Sequence, residues 1–387
     1  MMNSRIMIAP KILAPLALLI TLLNIQAQDE IIVRGSSKFD VAIGNFGGPA
    51  GTTVAQALSK RLRDSGYFNI KAPGPGLFVV IGGSDGRQVD GTLTGPQGQS
   101  MFRKGYRNAR IDTNIARLAD DITEAITGIP GINGTSLVFV GRSDGRKEIF
   151  QCLADGSGLR QLTRDRGICV SPSLSSKRGY VAYTSYASGY PDIYTIGADG
   201  SNRRRIINAP GTNGGAAISP DGGRIACTMS FSGNKELYVV SRGGGRPRAL
   251  TRTAASESSP TWSPNGSEII YSSDQTGRPQ LYRISASGGR ARQLSLGYGY
   301  CTEPAWSPDG NRLAFTVKAG GIAIALHDFR TGKTTRLRAG EDPTWAPDSR
   351  HLAFAAGGSL YRLNVDTGAM QRLAVNVSSI SEPSWGR

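Results

Sequence analysis

Two Gly-x-Ser-x-Gly pentapeptides, "GGSDG" at 82–86 and "GRSDG" at 141–145, have the spacing of a hydrolase nucleophile elbow. Such an elbow joins a strand to a helix and needs a histidine within reach. Here each pentapeptide lies between two strand-like runs, where Asp-Gly is hairpin chemistry. The chain has two histidines, His327 and His351, apart from any cluster of carboxylates or cysteines. A general base and a zinc site are therefore poorly supplied. "TGKTT" from Thr331 ends like a phosphate-binding loop, but His327 stands where the first glycine belongs, so the segment reads as a turn. Asp221 and Asp309 recur in turns that face no shared centre; a calcium role is weakly supported. The residues predict no catalytic group, no metal and no cofactor.

What the chain does supply is a repeat. The residues before successive turns, Leu174, Ile218, Trp262, Trp306, Trp345 and Trp385, are spaced by 44, 44, 44, 39 and 40. An inner segment ends in "SPDG" (Ser219, Ser307), "SPNG" (Ser263) or "APDS" (Ala346), where proline fixes φ and Asp/Asn-Gly tolerates the turn. A second strand follows at Val181–Tyr183, Ile225–Cys227, Ile269–Tyr271, Leu313–Phe315 and Leu352–Phe354. A third carries Ile193, Leu237, Leu281, Ile322 and Leu360, and a fourth Ile207, Leu250, Leu294, Leu337 and Leu373. Four short strands per unit of about 40 to 45 residues predict β-propeller blades. Thr135 to Thr163 holds three strands of a further unit but no inner one, and the closing "SEPSWGR" holds an inner strand with no blade after it. The tail therefore completes blade one, giving six blades over 134–387 and removing two open sheet edges.

The cysteines fit this frame. Cys169 and Cys301 each lie five residues before an anchor, in blades two and five, across the ring from one another and too far apart for a disulfide. Cys152 and Cys227 sit on nonadjacent blades, so four free thiols are expected.

Upstream, residues 28–130 read as a small α/β domain. "KFDVAIGNF" alternates as a strand, Thr52 to Gly66 places Val54, Ala57, Leu58 and Leu62 on one helical face, "LFVVIGG" and "QVDGTLTG" form strands, and Ile111 to Gly128 is an amphipathic helix. The first 27 residues carry Arg5 and Lys11, then an apolar run from Ile12 to Leu23, too short to span a bilayer but suited to a secretory signal cleaved near Ala27.

The formal charge is +16. In a cytosolic protein that balance would suggest nucleic acid. In an exported one it points to anionic lipid, cell-wall polymer, an acidic partner, or simply a solvated basic surface. Near the start of four inner strands stand Glu257, Glu303, Asp342 and Glu382. These carboxylates are placed either to receive a basic segment or cation at the channel mouth, or to accept hydrogen bonds from neighbouring backbone amides.

"EPAWSPDG", "SSDQTGRPQLYRISASGG" (272–289), the closing "EPSW", "SGYFNI" after the first helix and "ITGIPGI" before the propeller together resemble the TolB family, the periplasmic propellers of the Tol-Pal envelope system. The resemblance covers nearly all of the chain after the signal. It implies a non-enzymatic periplasmic adaptor, monomeric and peripheral to the membrane, binding no nucleic acid and serving envelope integrity and outer-membrane constriction during cell division. It further implies that the mouth binds the peptidoglycan-associated lipoprotein Pal through Thr212, Asn213, Gly214, Gly215, Ser258, Ser259, Thr302 and Glu303. The N-terminal segment Asp29, Glu30, Ile31, Ile32, Val33 and Arg34 would contact the inner-membrane protein TolA. Two departures stand out: the chain is short between Ile70 and Phe78, and Thr212 replaces a bulkier or histidine-like residue. The rival reading is an exported glycan-binding or hydrolase-associated propeller. A peptidase would need an α/β-hydrolase domain larger than the roughly 100 residues available. A glycan binder would show exposed aromatics at the mouth, whereas the four tryptophans sit at repeated packing positions.

Overall fold

The computed structural model describes residues 38–107, 110–175 and 177–386. The signal segment and Asp29–Arg34 lie outside the described residues. In the N-terminal region, β1 (Phe39–Gly47) leads into α1 (Gly51–Asp64), followed by β2 (Phe68–Lys71), β3 (Phe78–Ser84), β4 (Gln88–Thr94), β5 (Ser100–Arg107) and α2 (Ile111–Thr127). The sheet order is β2-β1-β3-β4-β5, parallel around β1 and antiparallel from β3 to β5. Val54, Leu58 and Leu62 of α1 and Ile115, Leu118 and Ile122 of α2 share one core with Val41, Val80 and Leu93 of the sheet. Gly128, at φ 71°, ends α2 in the left-handed conformation and donates to the Glu124 carbonyl at 2.8 Å. Periodicity did not announce β2 or β5. β2 is only four residues long, and β5 ("SMFRKGYR") carries charge along an exposed edge and takes its register from β4.

Both Gly-x-Ser-x-Gly motifs are hairpins. Gly82 to Ser84 end β3 before the turn into β4. Asp144 and Gly145, at φ 50° and 76°, join strands Ser136–Ser143 and Arg146–Leu153 through the two-residue turn that Asp-Gly favours.

From Ser136 onward the chain builds six four-stranded antiparallel sheets. The inner strands are Cys169–Ser175, Asn213–Ile218, Glu257–Trp262, Cys301–Trp306, Glu341–Trp345 and Ser378–Trp385. The six anchors hold identical register on the second strand: Leu174 faces Val181, Ile218 Ile225, Trp262 Ile269, Trp306 Leu313, Trp345 Leu352 and Trp385 Leu137. The outer strands are shorter than the pattern suggested. Arg248–Ala249 and Arg292–Gln293 end just before Leu250 and Leu294, whose amides still bond to Leu237 and Leu281 at 2.8 Å.

The blades are welded by side chains of one blade entering the next. All four tryptophans are buried. Trp262 of blade four packs on Ala226, Leu237 and Val239 of blade three, with the Arg224 guanidinium 4.7 Å from its ring. Trp385 closes the circle among Leu137, Phe139, Ala346 and Ala353 and donates its indole N–H to Thr135 Oγ1 at 2.7 Å. All four cysteines are buried and free.

Between the α/β region and the propeller, the 2% exposed Arg362 donates to the Asp64 carbonyl at 2.9 Å and the Ala154 carbonyl at 3.2 Å. Arg61 of α1 pairs with Asp155 at 2.9 Å. His351 meets one carboxylate and no cluster of metal-ligating side chains among the described residues. Its Nδ1 lies 2.6 Å from Asp348 and its ring meets Tyr67 edge-on, so it is a packing residue at this junction.

Trp385→Ala is expected to lower unfolding free energy by about 3–5 kcal/mol, the range for truncating a buried aromatic. The measurement is the urea midpoint of the variant. A loss below about 1 kcal/mol would show that closure through the last strand does not hold the ring together.

Candidate functional site at the propeller mouth

The six inner strands surround a cavity of about 210 Å³ lined by Ser171, Gly215, Ser259, Glu303, Asp342 and Glu382 among others. These six occupy one repeat position, three residues before each anchor, and all have positive φ: 51°, 62°, 49°, 51°, 54° and 52° in that order. Each sits where the pairing with the second strand shifts register, so every inner strand carries a bulge at the same height. Glycine takes this conformation freely, whereas the other five residues hold it at a cost of roughly 1 kcal/mol each.

Hydrogen bonds across the seams hold these bulges. Glu303 Oε2 accepts from the Asp342 amide at 3.1 Å and from Thr316 Oγ1 at 2.6 Å. Asp342 Oδ2 accepts from the Glu382 amide at 2.9 Å, and Glu382 Oε2 from the Ser171 amide at 2.6 Å. Three carboxylates thus staple blades five, six, one and two in sequence. One step deeper a hydroxyl does similar work: Thr344 accepts from the Trp385 amide at 3.0 Å, Ser384 from Leu174 at 3.1 Å and Ser173 from Ile218 at 3.0 Å. Where alanine replaces the hydroxyl, the next blade's indole bonds its carbonyl, Trp262 to Ala217 and Trp345 to Ala305, both at 2.9 Å. Of the two roles open for the mouth carboxylates, acceptance of backbone amides is the one the geometry displays.

The acids are not the ring of four that their spacing suggested. Glu257 stands five residues before its anchor, level with Cys169, Asn213 and Cys301, and is fully buried away from the bulge position. Glu303, Asp342 and Glu382 alone share that position, so one half of the cavity is acidic and the other, with Ser171, Gly215 and Ser259, is neutral. Burial, then the neighbouring Glu303 and Glu382, push Asp342 up to about 8. Glu341 beside it is raised by burial and the same two carboxylates.

Of the predicted contact residues, the structure brings Gly215, Ser259 and Glu303 together on the cavity. Ser258 and Thr302 are half-buried one position earlier, paired with Ser272 and Thr316. Asn213 and Gly214 are buried, and Asn213 Nδ2 is spent on the Ala209 carbonyl at 2.6 Å and Asp192 at 3.2 Å. Thr212 is half-buried with its amide on Ser230 Oγ at 2.8 Å. Sequence reasoning missed the exposed apolar side chains on this side of the ring: Ile168, Tyr186, Tyr190 and Phe231. The available signal was an aromatic residue flanking the turn between second and third strands, in "SYASGYP" and "SFSGN".

Glu257 accepts from Thr253 Oγ1 at 3.0 Å and Ser273 Oγ at 3.1 Å, yet its Oε2 has no hydrogen-bond partner. The buried Glu236 alongside bonds the Thr253 amide at 2.6 Å and leaves its own Oε2 unpartnered too. Burial, with Glu236 adding to it, pushes Glu257 up to about 7. A carboxyl raised on folding contributes full stability below its unfolded value and loses it as pH rises through the folded one. Glu257→Gln is therefore expected to leave the urea midpoint unchanged at pH 4, below the unfolded value, and to raise stability at pH 8 by about 1–2 kcal/mol. An equal effect at both pH values would contradict this.

A family model described as the TolB beta propeller domain matches residues 123–387. The Tol-Pal system protein TolB of Bordetella avium is 32% identical over 210 residues, 46% of this chain and 48% of that protein. The protein TolB homolog of Chlorobium chlorochromatii is 32% identical over 123 residues, 30% of this chain and 28% of its own length. The matched segments thus span about half or less of these curated relatives. The crystal structure of TolB from Acinetobacter baumannii superposes with a TM-score of 0.78 at 22% identity, covering 91% of this chain and 98% of that one, and shows the same fold. With the family model extending over most of its length and a ring of six four-stranded blades in place, this chain belongs to the TolB β-propeller family.

Proposed function

We propose that this chain is a non-enzymatic periplasmic adaptor of the Tol-Pal system. It binds a Pal-like, peptidoglycan-associated lipoprotein through the propeller mouth and a TolA-like inner-membrane protein through Asp29–Arg34, supporting envelope integrity and outer-membrane constriction at division. In this reading residues 1–27 are a removed signal peptide, 28–130 a small α/β domain and 134–387 the binding propeller. The observation that carries the reading is the set of six bulges at one height around the cavity, Gly215, Ser259 and Glu303 among them, with three carboxylates stapling those of blades five, six, one and two. A mouth whose backbone is fixed before the partner arrives spends little binding energy on ordering itself. Family membership supplies the partner class.

The test is an in-cell crosslink from a photoreactive residue at position 302. A peptidoglycan-associated lipoprotein should be recovered, and recovery should fall at least about tenfold with Ser259→Arg, which fills the cavity without touching the carboxylate staples. Recovery of glycan alone would replace this reading with the glycan-binding one.

A further inference from the structure

Four of the seven exposed large apolar side chains of the described residues, Ile168, Tyr186, Tyr190 and Phe231, lie on consecutive loops of the mouth side. They are linked through backbone. The Tyr186 amide donates to the Ile168 carbonyl at 3.0 Å, Pro191 after Tyr190 accepts from the Asn213 amide at 3.1 Å, and Ser230 before Phe231 donates to the Thr212 carbonyl at 3.0 Å. Tyr190 is 73% exposed, and Phe231 is 49% exposed with its ring 5.2 Å from that of Tyr238, so both leave apolar surface in solvent on adjoining loops. Phe231 also walls a cavity of about 600 Å³ with Asn234, Glu236, Tyr238, Arg246 and Arg252.

The unpaired exposed charge on these loops is basic. Arg164, Arg166, Lys235 and Arg252 are exposed on the same loops, and none forms an ion pair among the described residues. The acids nearby are paired or buried, though Glu236 and Glu257 each keep one unpartnered oxygen. Asp165 is held by Arg203 and Ser185 at 2.6 Å each, Asp192 by Arg205 at 3.3 Å, and Glu236 and Glu257 are buried. Apolar anchors interleaved with uncommitted cations are complementary to a segment that presents carboxylates beside an apolar or aromatic side chain.

We infer that the rim over blades one to three, formed by Ile168, Tyr186, Tyr190 and Phe231 with Arg164, Arg166 and Arg252, docks an acidic peptide segment of the partner, an apolar side chain of that segment entering the cavity beside Phe231. This deepens and rests on the reading that the mouth receives a protein. It places the charge-selective contact on the rim, opposite in sign to the acidic half of the channel. Encounter with such a segment is steered by the rim cations and weakens with salt.

The probe is a fluorescein-labelled synthetic peptide of alternating glutamates and leucines with one phenylalanine, its lysine counterpart serving as control, titrated with the mature protein by fluorescence anisotropy. The acidic peptide should bind and the lysine peptide should not. Tyr190→Ala with Phe231→Ala, and separately Arg166→Glu with Arg252→Glu, should each weaken binding at least about tenfold. Lys333→Glu, on the exposed turn between strands Ile322–Asp328 and Thr334–Ala339, should leave it unchanged. All changed rim residues are exposed, and circular dichroism confirms that the variants fold. Equal binding of the lysine peptide, indifference to the rim variants, or binding of an anionic glycan fragment with the acidic peptide silent would each overturn the inference. If the peptide fails while the crosslink at position 302 still recovers the lipoprotein, the rim assignment falls and the adaptor reading stands. If the peptide binds as expected and the crosslink recovers nothing, only the adaptor reading falls.

Discussion

Closure of a six-sheet ring is the constraint on which this structure rests. Six twisted sheets packed face to face around an axis leave two exposed edges and one open seam unless the last meets the first. Here the final strand, Ser378–Trp385, pairs with Ser136–Ser143 near the start of the propeller, so chain ends some 240 residues apart form one blade. Loop closure over such a length costs only a few kcal/mol more than over a short one, since the entropy grows logarithmically. Burial of Trp385 together with the ladder bonds offsets that cost.

Each seam then uses whatever its residues allow. Carboxylates carry the seams from blade five to blade two, hydroxyls the seams on either side of Trp385 and Leu174, and indole N–H groups the seams that have alanine. The stapling residues also line the channel cavity. Glu303, Asp342 and Glu382 crowd carboxyls into one half of the channel, and burial together with the two neighbours raises the pKa of Asp342. The site is in this sense a by-product of closure: the bulges that let six strands converge also turn their third residues toward the axis. Cations free to meet a partner stand outside it, on loops that closure does not constrain.

What the sequence made legible was whatever repeats. The 44-residue period, the anchors and the unpaired tail named six blades and their closing strand, because identical packing demands identical residue types at identical spacing. The carboxylates were visible as residues but not as geometry. Glu257 and Glu303 stand five and three residues before their anchors, but only the bulge shows that this offset sends one into the core and the other to the channel, and a left-handed Ser, Glu or Asp before proline has no sequence signature. β5 was hidden because an edge strand facing solvent has no apolar alternation to show. The packing role of His351 was hidden because, beside the single carboxylate of Asp348 in its own turn, its aromatic neighbour Tyr67 comes from a distant part of the chain.

The central claim is that the mouth is rigid before any partner arrives because the ring is closed and stapled. Amide hydrogen exchange on the unbound mature protein tests it most directly, through the amides of Asp342, Glu382 and Ser171 at the three staples. The account predicts protection there equal to that of the central strands Leu313–Phe315 and Leu352–Phe354, lost only by global unfolding. Fast exchange at Glu382 and Ser171, with those central strands still protected, would mean that the closing blade opens on its own and that the mouth is shaped by its partner instead.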